Sequence, residues 1–149
     1  AICNLPIKDS SLEIIKLIDI QDIFVCGEKY KDKISIPLNF NELAEFPLIL
    51  LEPKTNSRRY VEKYIWSRWF KIEPEIELGS HDLLLEFAKI NLGISCVVRE
   101  FSKEYLEAKS VYEINLVEEV PKRSIGVCFL KTVSLSPAAT RFIEDLEIE

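Results

Sequence analysis

The sequence predicts an α/β fold built on a wound sheet, and three observations predict it. "LILL" (48–51) and "ISCVV" (94–98) are apolar without alternation, as in strands buried on both faces. Between them lie stretches whose apolar residues recur at helical spacing. Small polar residues of the kind that begin helices then stand at two junctions, Thr55-Asn56-Ser57 and Ser80-His81-Asp82. The middle of the chain therefore reads strand–helix–strand–helix–strand, with right-handed crossovers.

Taken in order, Ala1 to Leu5 is a strand. Leu12 to Cys26 alternates less cleanly, but "DIFVCG" is a strong strand ending at Gly27. Lys29 to Ser35 is polar and reads as a connection, and Asn39 caps a short helix in "NFNELAEF". Pro47 starts "LILL". From Ser57 to Phe70 the row Val61, Ile65, Trp69 is flanked by Tyr60 with Tyr64 and by Trp66 with Phe70, a wider apolar surface than one stripe. Either this helix is wedged between sheet and loops, or Tyr60, Tyr64, Trp66 and Trp69 meet a second subunit. Pro74 opens the next segment, and "EIEL" alternates like an edge strand.

The following helix puts Leu84, Phe87, Ala88 and Asn91 on one face, with Gly93 expected as its left-handed stop. Phe101 to Leu106 reads as a short helix, and "VYEINLVE" and "SIGVCFLK" as strands. Ser136 caps a closing helix with Pro137 at its first position. Ala139, Phe142, Ile143 and Leu146 form its inner face.

The 149 residues suit one domain or two small lobes, and 48% apolar with 30% charged residues is ordinary globular composition. A net charge of −6 argues against this segment gripping a phosphate backbone, which needs a basic face. No stretch is long enough to cross a membrane, and no leader pattern opens the chain. Cys3, Cys26, Cys96 and Cys128 lie far apart inside apolar runs, without a C-x-x-C pair and with one histidine in the chain. They are expected as free thiols of a reducing cytosol, with no metal site and no cofactor. The absence of methionine and an opening inside a strand pattern lead to the expectation of a piece of a longer chain.

The chemistry resides at the two helix starts. First-turn N–H groups lack partners inside the helix and carry partial positive charge, so they hold carboxylate, phosphate or sulfate. In open α/β sheets such starts gather at the carboxyl ends of strands, where ligands sit. Thr55, Asn56 and Ser57, and Ser80, His81 and Asp82, are therefore expected to face one cleft. Each cluster by itself is more often a plain cap. His81 has no nucleophile tied to it, and Glu73, Glu75 and Glu77 alternate on a strand face where solvation outweighs acid–base work. Nothing here indicates an enzyme.

At these residues the chain resembles the effector-binding domain of LysR-type transcriptional regulators. The resemblance is carried by "FPLILLEPKTNSRRYVEKY", by "EIELGSHDLLLEFAKINLGISCVV" with its A-x-x-x-L-G-I element at Ala88 to Ile94, and by "GVCFLKTVSLSPAATRFIEDL". "AICNLPI" and "LEIIKLIDIQDIFVCGEKY" match the family's preceding strands in order. The resemblance implies a two-lobed, periplasmic-binding-protein-like (type II) fold with lobe I incomplete. Residues 1–30 with 125–149 form the remnant of lobe I, and residues 31–124 form lobe II.

It further implies a small anionic effector held between the lobes by Thr55, Asn56, Ser57, Ser80, His81, Val98, Phe101 and Asn4. Val98 stands where many members carry proline. A homo-oligomer, dimer or tetramer, is implied through the helix carrying Tyr60, Tyr64, Trp66 and Trp69. DNA is reached only by a winged helix-turn-helix outside this segment, in the cytoplasm. The alternative on the same fold is a periplasmic-type solute-binding protein.

Overall fold

The computed structural model describes residues 1–147. Its strands are β1 (Ile2–Leu5), β2 (Leu12–Ile20), β3 (Asp22–Cys26), β4 (Leu48–Leu51), β5 (Ile76–Leu78), β6 (Ile94–Val98), β7 (Tyr112–Glu113) and β8 (Arg123–Leu130). Its helices are α1 (Glu28–Lys31), α2 (Phe40–Leu43), α3 (Asn56–Ser67), α4 (His81–Lys89), α5 (Lys103–Glu107) and α6 (Pro137–Glu147), with a 3-10 turn at Arg99–Phe101.

The chain divides into two compact units. The larger runs from Gln21 to Pro121, and the smaller joins residues 1–20 to the stretch from Lys122 onward. The boundaries expected at 30/31 and 124/125 thus move to 20/21 and 121/122. The reason is β3, which pairs with β6 and β7 and so belongs to the larger sheet.

In the larger unit five strands run in the order β5-β4-β6-β3-β7. β4 is parallel to β5 and β6, whereas β3 is antiparallel to β6. Because side chains alternate along a strand, "LILL" feeds two layers despite its uniform composition. Leu48 and Leu50 join Phe24, Ile94 and the α3 residues Val61 and Ile65 on one side. Ile49 joins Ile23, Val25, Val97 and the α4 residues Leu84, Leu85 and Ala88 on the other. Both faces are covered, which is what unalternating strands require.

The two main helices end alike. At α3, Trp69 donates to the Trp66 carbonyl and Phe70 to that of Ile65, and at α4, Asn91 donates to Ala88 and Leu92 to Phe87. These are Schellman closures, and the left-handed residues are Trp69 (φ 67°) and Asn91 (φ 64°). The stop expected at Gly93 is therefore supplied by Asn91. Gly93 serves close approach instead, since a Cβ there would stand 2.5 Å from the Pro47 carbonyl oxygen. The row Val61, Ile65, Trp69 also breaks: the first two are buried, but the helix has ended before Trp69, which is 92% exposed.

In the smaller unit β8 lies between β1 and β2, antiparallel to both. Cys3 stands opposite Gly126, so Cys128 is its diagonal neighbour on the same strand pair, with Cα atoms 6.7 Å apart, and the two form a disulfide. This corrects the expectation of four thiols outside any disulfide: Cys26 and Cys96 are buried and not disulfide-bonded, but Cys3 and Cys128 are paired. A separation of 125 residues hid the pair, and the mixed set carries no compartment assignment.

Three further differences are local. Glu28–Lys31 is helical where a connection was expected, "VYEINLVE" yields only the two-residue β7, and Phe142 on α6 is 49% exposed although Ile143 is buried. The Ser136 cap stands, its hydroxyl accepting from the Ala139 N–H at 3.2 Å.

Candidate functional site

Parallel pairing of β4, β5 and β6 brings their carboxyl ends to one edge of the larger sheet, and antiparallel β3 places its first residue, Asp22, there too. A cleft at this edge is lined by Asp22, Ser57, Arg58, His81, Val98 and the apolar side chains beneath them.

The first helix start is fixed by the turn after β4. Thr55 donates from its N–H and its hydroxyl to the Glu52 carbonyl, at 3.0 and 2.8 Å, and its Oγ1 accepts from the Arg58 N–H at 3.3 Å. Thr55 is thereby occupied as the N-cap of α3, leaving Ser57 to line the cleft.

Arg58 is the residue sequence reasoning missed. It is 6% exposed, and its Nη1 donates to the Leu51 carbonyl (2.7 Å) and to Glu77 (3.1 Å) while Nη2 donates to Glu62 (3.1 Å). Its Nε–H is a buried side-chain donor with no partner among the described residues. Such a group costs about 1–3 kcal/mol when left unsatisfied. An arginine three places after a threonine cap offers no sequence signal of this burial; the neighbouring Arg59 is exposed.

The second helix start is different. Ser80 caps α4 without a side-chain hydrogen bond. His81 Nε2 accepts from the Val98 N–H at 2.9 Å, which places the imidazole proton on Nδ1. Burial lowers the pKa of His81, opposed by the nearby carboxylates of Asp82 and Asp22, so the ring is neutral near pH 7. The Phe101 ring meets His81 edge-on at 6.0 Å and is itself 56% exposed. Asp22 is 3% exposed and was not singled out by sequence, because its place depends on the strand order.

Of the expected contact residues, Ser57, His81 and Val98 line one cleft, and Phe101 reaches it through His81. Thr55, Asn56 and Ser80 shape the helix starts without lining it. Asn4 lies in the smaller unit, where its Oδ1 accepts from Arg123 Nη1 at 2.6 Å.

On the outer side of α3, Trp66 is 76% exposed, and it shares a groove with Arg59, Lys63 and Phe70. Tyr60 and Tyr64 are half-buried and already engaged. Tyr60 Oη donates to the Pro121 carbonyl at 3.0 Å, and the Tyr64 ring lies edge-on to Phe40 at 6.2 Å. Among the described residues no helix is long and apolar enough to cross a membrane, and no cluster of metal-binding side chains occurs.

Comparison with known proteins agrees on one family. The model described as the LysR substrate binding domain matches residues 1–147. The chain is 28% identical over 108 residues to the uncharacterized HTH-type transcriptional regulator YeiE of Escherichia coli strain K12, covering 72% of this chain and 37% of that protein. It is 24% identical over 136 residues to YbhD of the same organism, also an uncharacterized HTH-type transcriptional regulator, covering 91% and 43%. The chain thus spans less than half the length of these relatives.

Among solved structures, the Synechocystis PCC6803 CcmR regulatory domain in complex with 2-PG superposes with a TM-score of 0.82 at 17% identity. That match covers 99% of this chain and 71% of the other. The effector-binding domain of QuiR in complex with shikimate gives 0.77 at 16% identity, covering 97% and 68%. At these identities the likeness establishes the two-lobed, periplasmic-binding-protein-like α/β fold.

Proposed function

The chain belongs to the LysR substrate-binding domain family, and on that premise we propose that it senses a small anionic metabolite for a transcription regulator whose DNA-reading head lies elsewhere in the protein. The observation that carries this is the meeting of two helix starts, Ser57 of α3 and His81 of α4, with Val98 at one cleft. Amide donors at a helix start suit an anion, and a neutral imidazole adds direction without adding charge. The fold neighbours solved in complex with 2-PG and with shikimate support a small ligand.

Sensing follows from differential affinity. A ligand that binds one arrangement of the domain better than another shifts the population by that difference and by no more. The readout is binding and not turnover, and a sensor coupled to DNA in this way works in the cytoplasm. We place the self-association surface along α3, at Trp66 and Trp69, with Tyr60 and Tyr64 on the same helix. Trp66 and Trp69 are exposed, and tryptophan is enriched at the cores of subunit contacts.

The test uses the intact regulator. Carboxylates, amino acids and inorganic anions are titrated calorimetrically, and promoter occupancy is followed in parallel. A ligand that binds the native protein, fails with Ser57→Ala and His81→Ala, and changes occupancy supports the proposal. Occupancy indifferent to every ligand that binds ends it. Sedimentation of Trp66→Ala and Trp69→Ala tests the assembly surface; unchanged association removes it.

A further inference from the structure

We infer that Cys3 and Cys128 form a reversible redox switch, whose disulfide opens and closes with the thiol–disulfide balance around it and so loosens or fixes β1 against β8. This rests on the reading of the chain as part of a cytoplasmic regulator. In a reducing compartment a disulfide is as a rule transient and serves catalysis or redox sensing.

The sheet of the smaller unit builds the pair. Cys3 stands opposite Gly126, and Cys128 lies two places along β8, on the same face. The glycine puts no side chain between the two sulfurs, and Cα atoms 6.7 Å apart are within bridging range. Cys26 and Cys96 lie in the larger unit, buried and outside any disulfide, so exchange is confined to one pair.

The two sulfurs differ in access. Cys3 is half-buried on β1, whereas Cys128 is 8% exposed. A small thiol such as glutathione therefore enters at Cys3. Its thiolate attacks Cys3 Sγ, the Cys3–Cys128 bond breaks, and the electron pair leaves on Cys128 Sγ, which takes a proton. A second glutathione thiolate attacks the mixed disulfide and releases the Cys3 thiol with oxidised glutathione. The protein gains two electrons and two glutathiones lose them; oxidised glutathione runs the same steps backwards.

The bond matters because little else holds β1. Among the described residues β1 pairs on one side only, through four register positions on β8. Asn4 of β1 also accepts from Arg123 at 2.6 Å. Arg123 opens β8, two places past Pro121, where the larger unit ends. The redox state of the pair thus reaches the segment by which the chain returns from the larger unit.

The intact regulator is equilibrated with reduced and oxidised glutathione in varied ratio, its thiols are blocked, and its peptides are mapped by mass spectrometry. A Cys3–Cys128 disulfide is expected at the oxidising end and four thiols at the reducing end, reached from either direction. Amides of β1 are expected to exchange hydrogen at least about tenfold faster in the reduced form. Promoter occupancy is expected to differ between the two ends. Cys3→Ser and Cys3→Ala, both made because the site is half-buried, are expected to behave as the reduced form at every ratio. A disulfide that survives the reducing end overturns the switch and leaves a structural staple. Four thiols at every ratio, or exchange and occupancy indifferent to the ratio, overturn it as well. In each of these cases the sensing role stands or falls separately, on whether a metabolite changes occupancy.

Discussion

α3 and α4 are built with the same parts and put to opposite uses. Each follows a parallel strand, each buries one face against the larger sheet, and each ends in a Schellman closure on a left-handed residue that is not glycine. At α4 the parts are turned inward. Asn91 tolerates the left-handed backbone, and its Oδ1 accepts the Lys29 N–H at 3.0 Å. At the other end His81 is tied to Val98. At α3 a hydroxyl caps the start, a buried arginine is tied down behind it, and the far end carries Trp69 with its ring almost wholly in solvent. A bulky residue in that backbone region costs about 1–2 kcal/mol, and nothing within the larger unit repays it. Stability explains Asn91; it does not explain Trp69.

The strongest way to break this comparison is at the inner faces, where the helices should behave alike. Ile65→Ala and Leu84→Ala each empty a fully buried site and are expected to cost about 2–5 kcal/mol in urea unfolding. A loss confined to one helix would mean that the two do not share a cooperative unit.

The closures should then part company. Asn91→Ala is expected to destabilise by about 1–2 kcal/mol, losing both a left-handed former and the acceptor for Lys29. Trp69→Gly is expected to stabilise by about 0.5–1 kcal/mol in the isolated chain, because no packing is lost. Equal signs would erase the distinction.

The caps sharpen it further. Thr55→Ala should cost about 1 kcal/mol, whereas Ser80→Ala, with no side-chain bond to lose, should cost a few tenths at most. Equal losses in denaturant midpoint would show that Ser80 caps in solution.

The smallest effect is the pH response of His81. Burial depresses its folded pKa below the ordinary 6.5, so between the two values the unfolded chain binds the extra proton. The neutral ring's contribution is whole above the unfolded pKa and is lost as pH falls through the folded one. Stability measured across this window should fall in the native chain and stay flatter in His81→Gln.

The strands 48–51 and 94–98, the caps at Asn39 and Ser136, and the polar starts of α3 and α4 were all legible in the sequence, because the forces that set them act within about one turn of helix or one strand. The outer half of the α3 pattern misled for an equally local reason. Helical spacing continued to Phe70, but spacing cannot show where the backbone reverses, and the Schellman closure exposed Trp69 instead of burying it. Gly93 looked like the stop because glycine favours that conformation, yet Asn91 took it, and Gly93 was needed where the Pro47 carbonyl passes too close for a side chain.

The sequence by itself determined the class of fold, most of its elements and the two polar junctions. Tertiary structure alone decided that Cys3 lies beside Cys128, that Asp22 reaches the edge where α3 and α4 begin, and that Arg58 is spent on Glu62 and Glu77. The physical reason is range. Backbone preference and periodicity are properties of neighbours in the chain, whereas strand order, register and the pairing of buried charge are settled only when distant segments exclude water from one another.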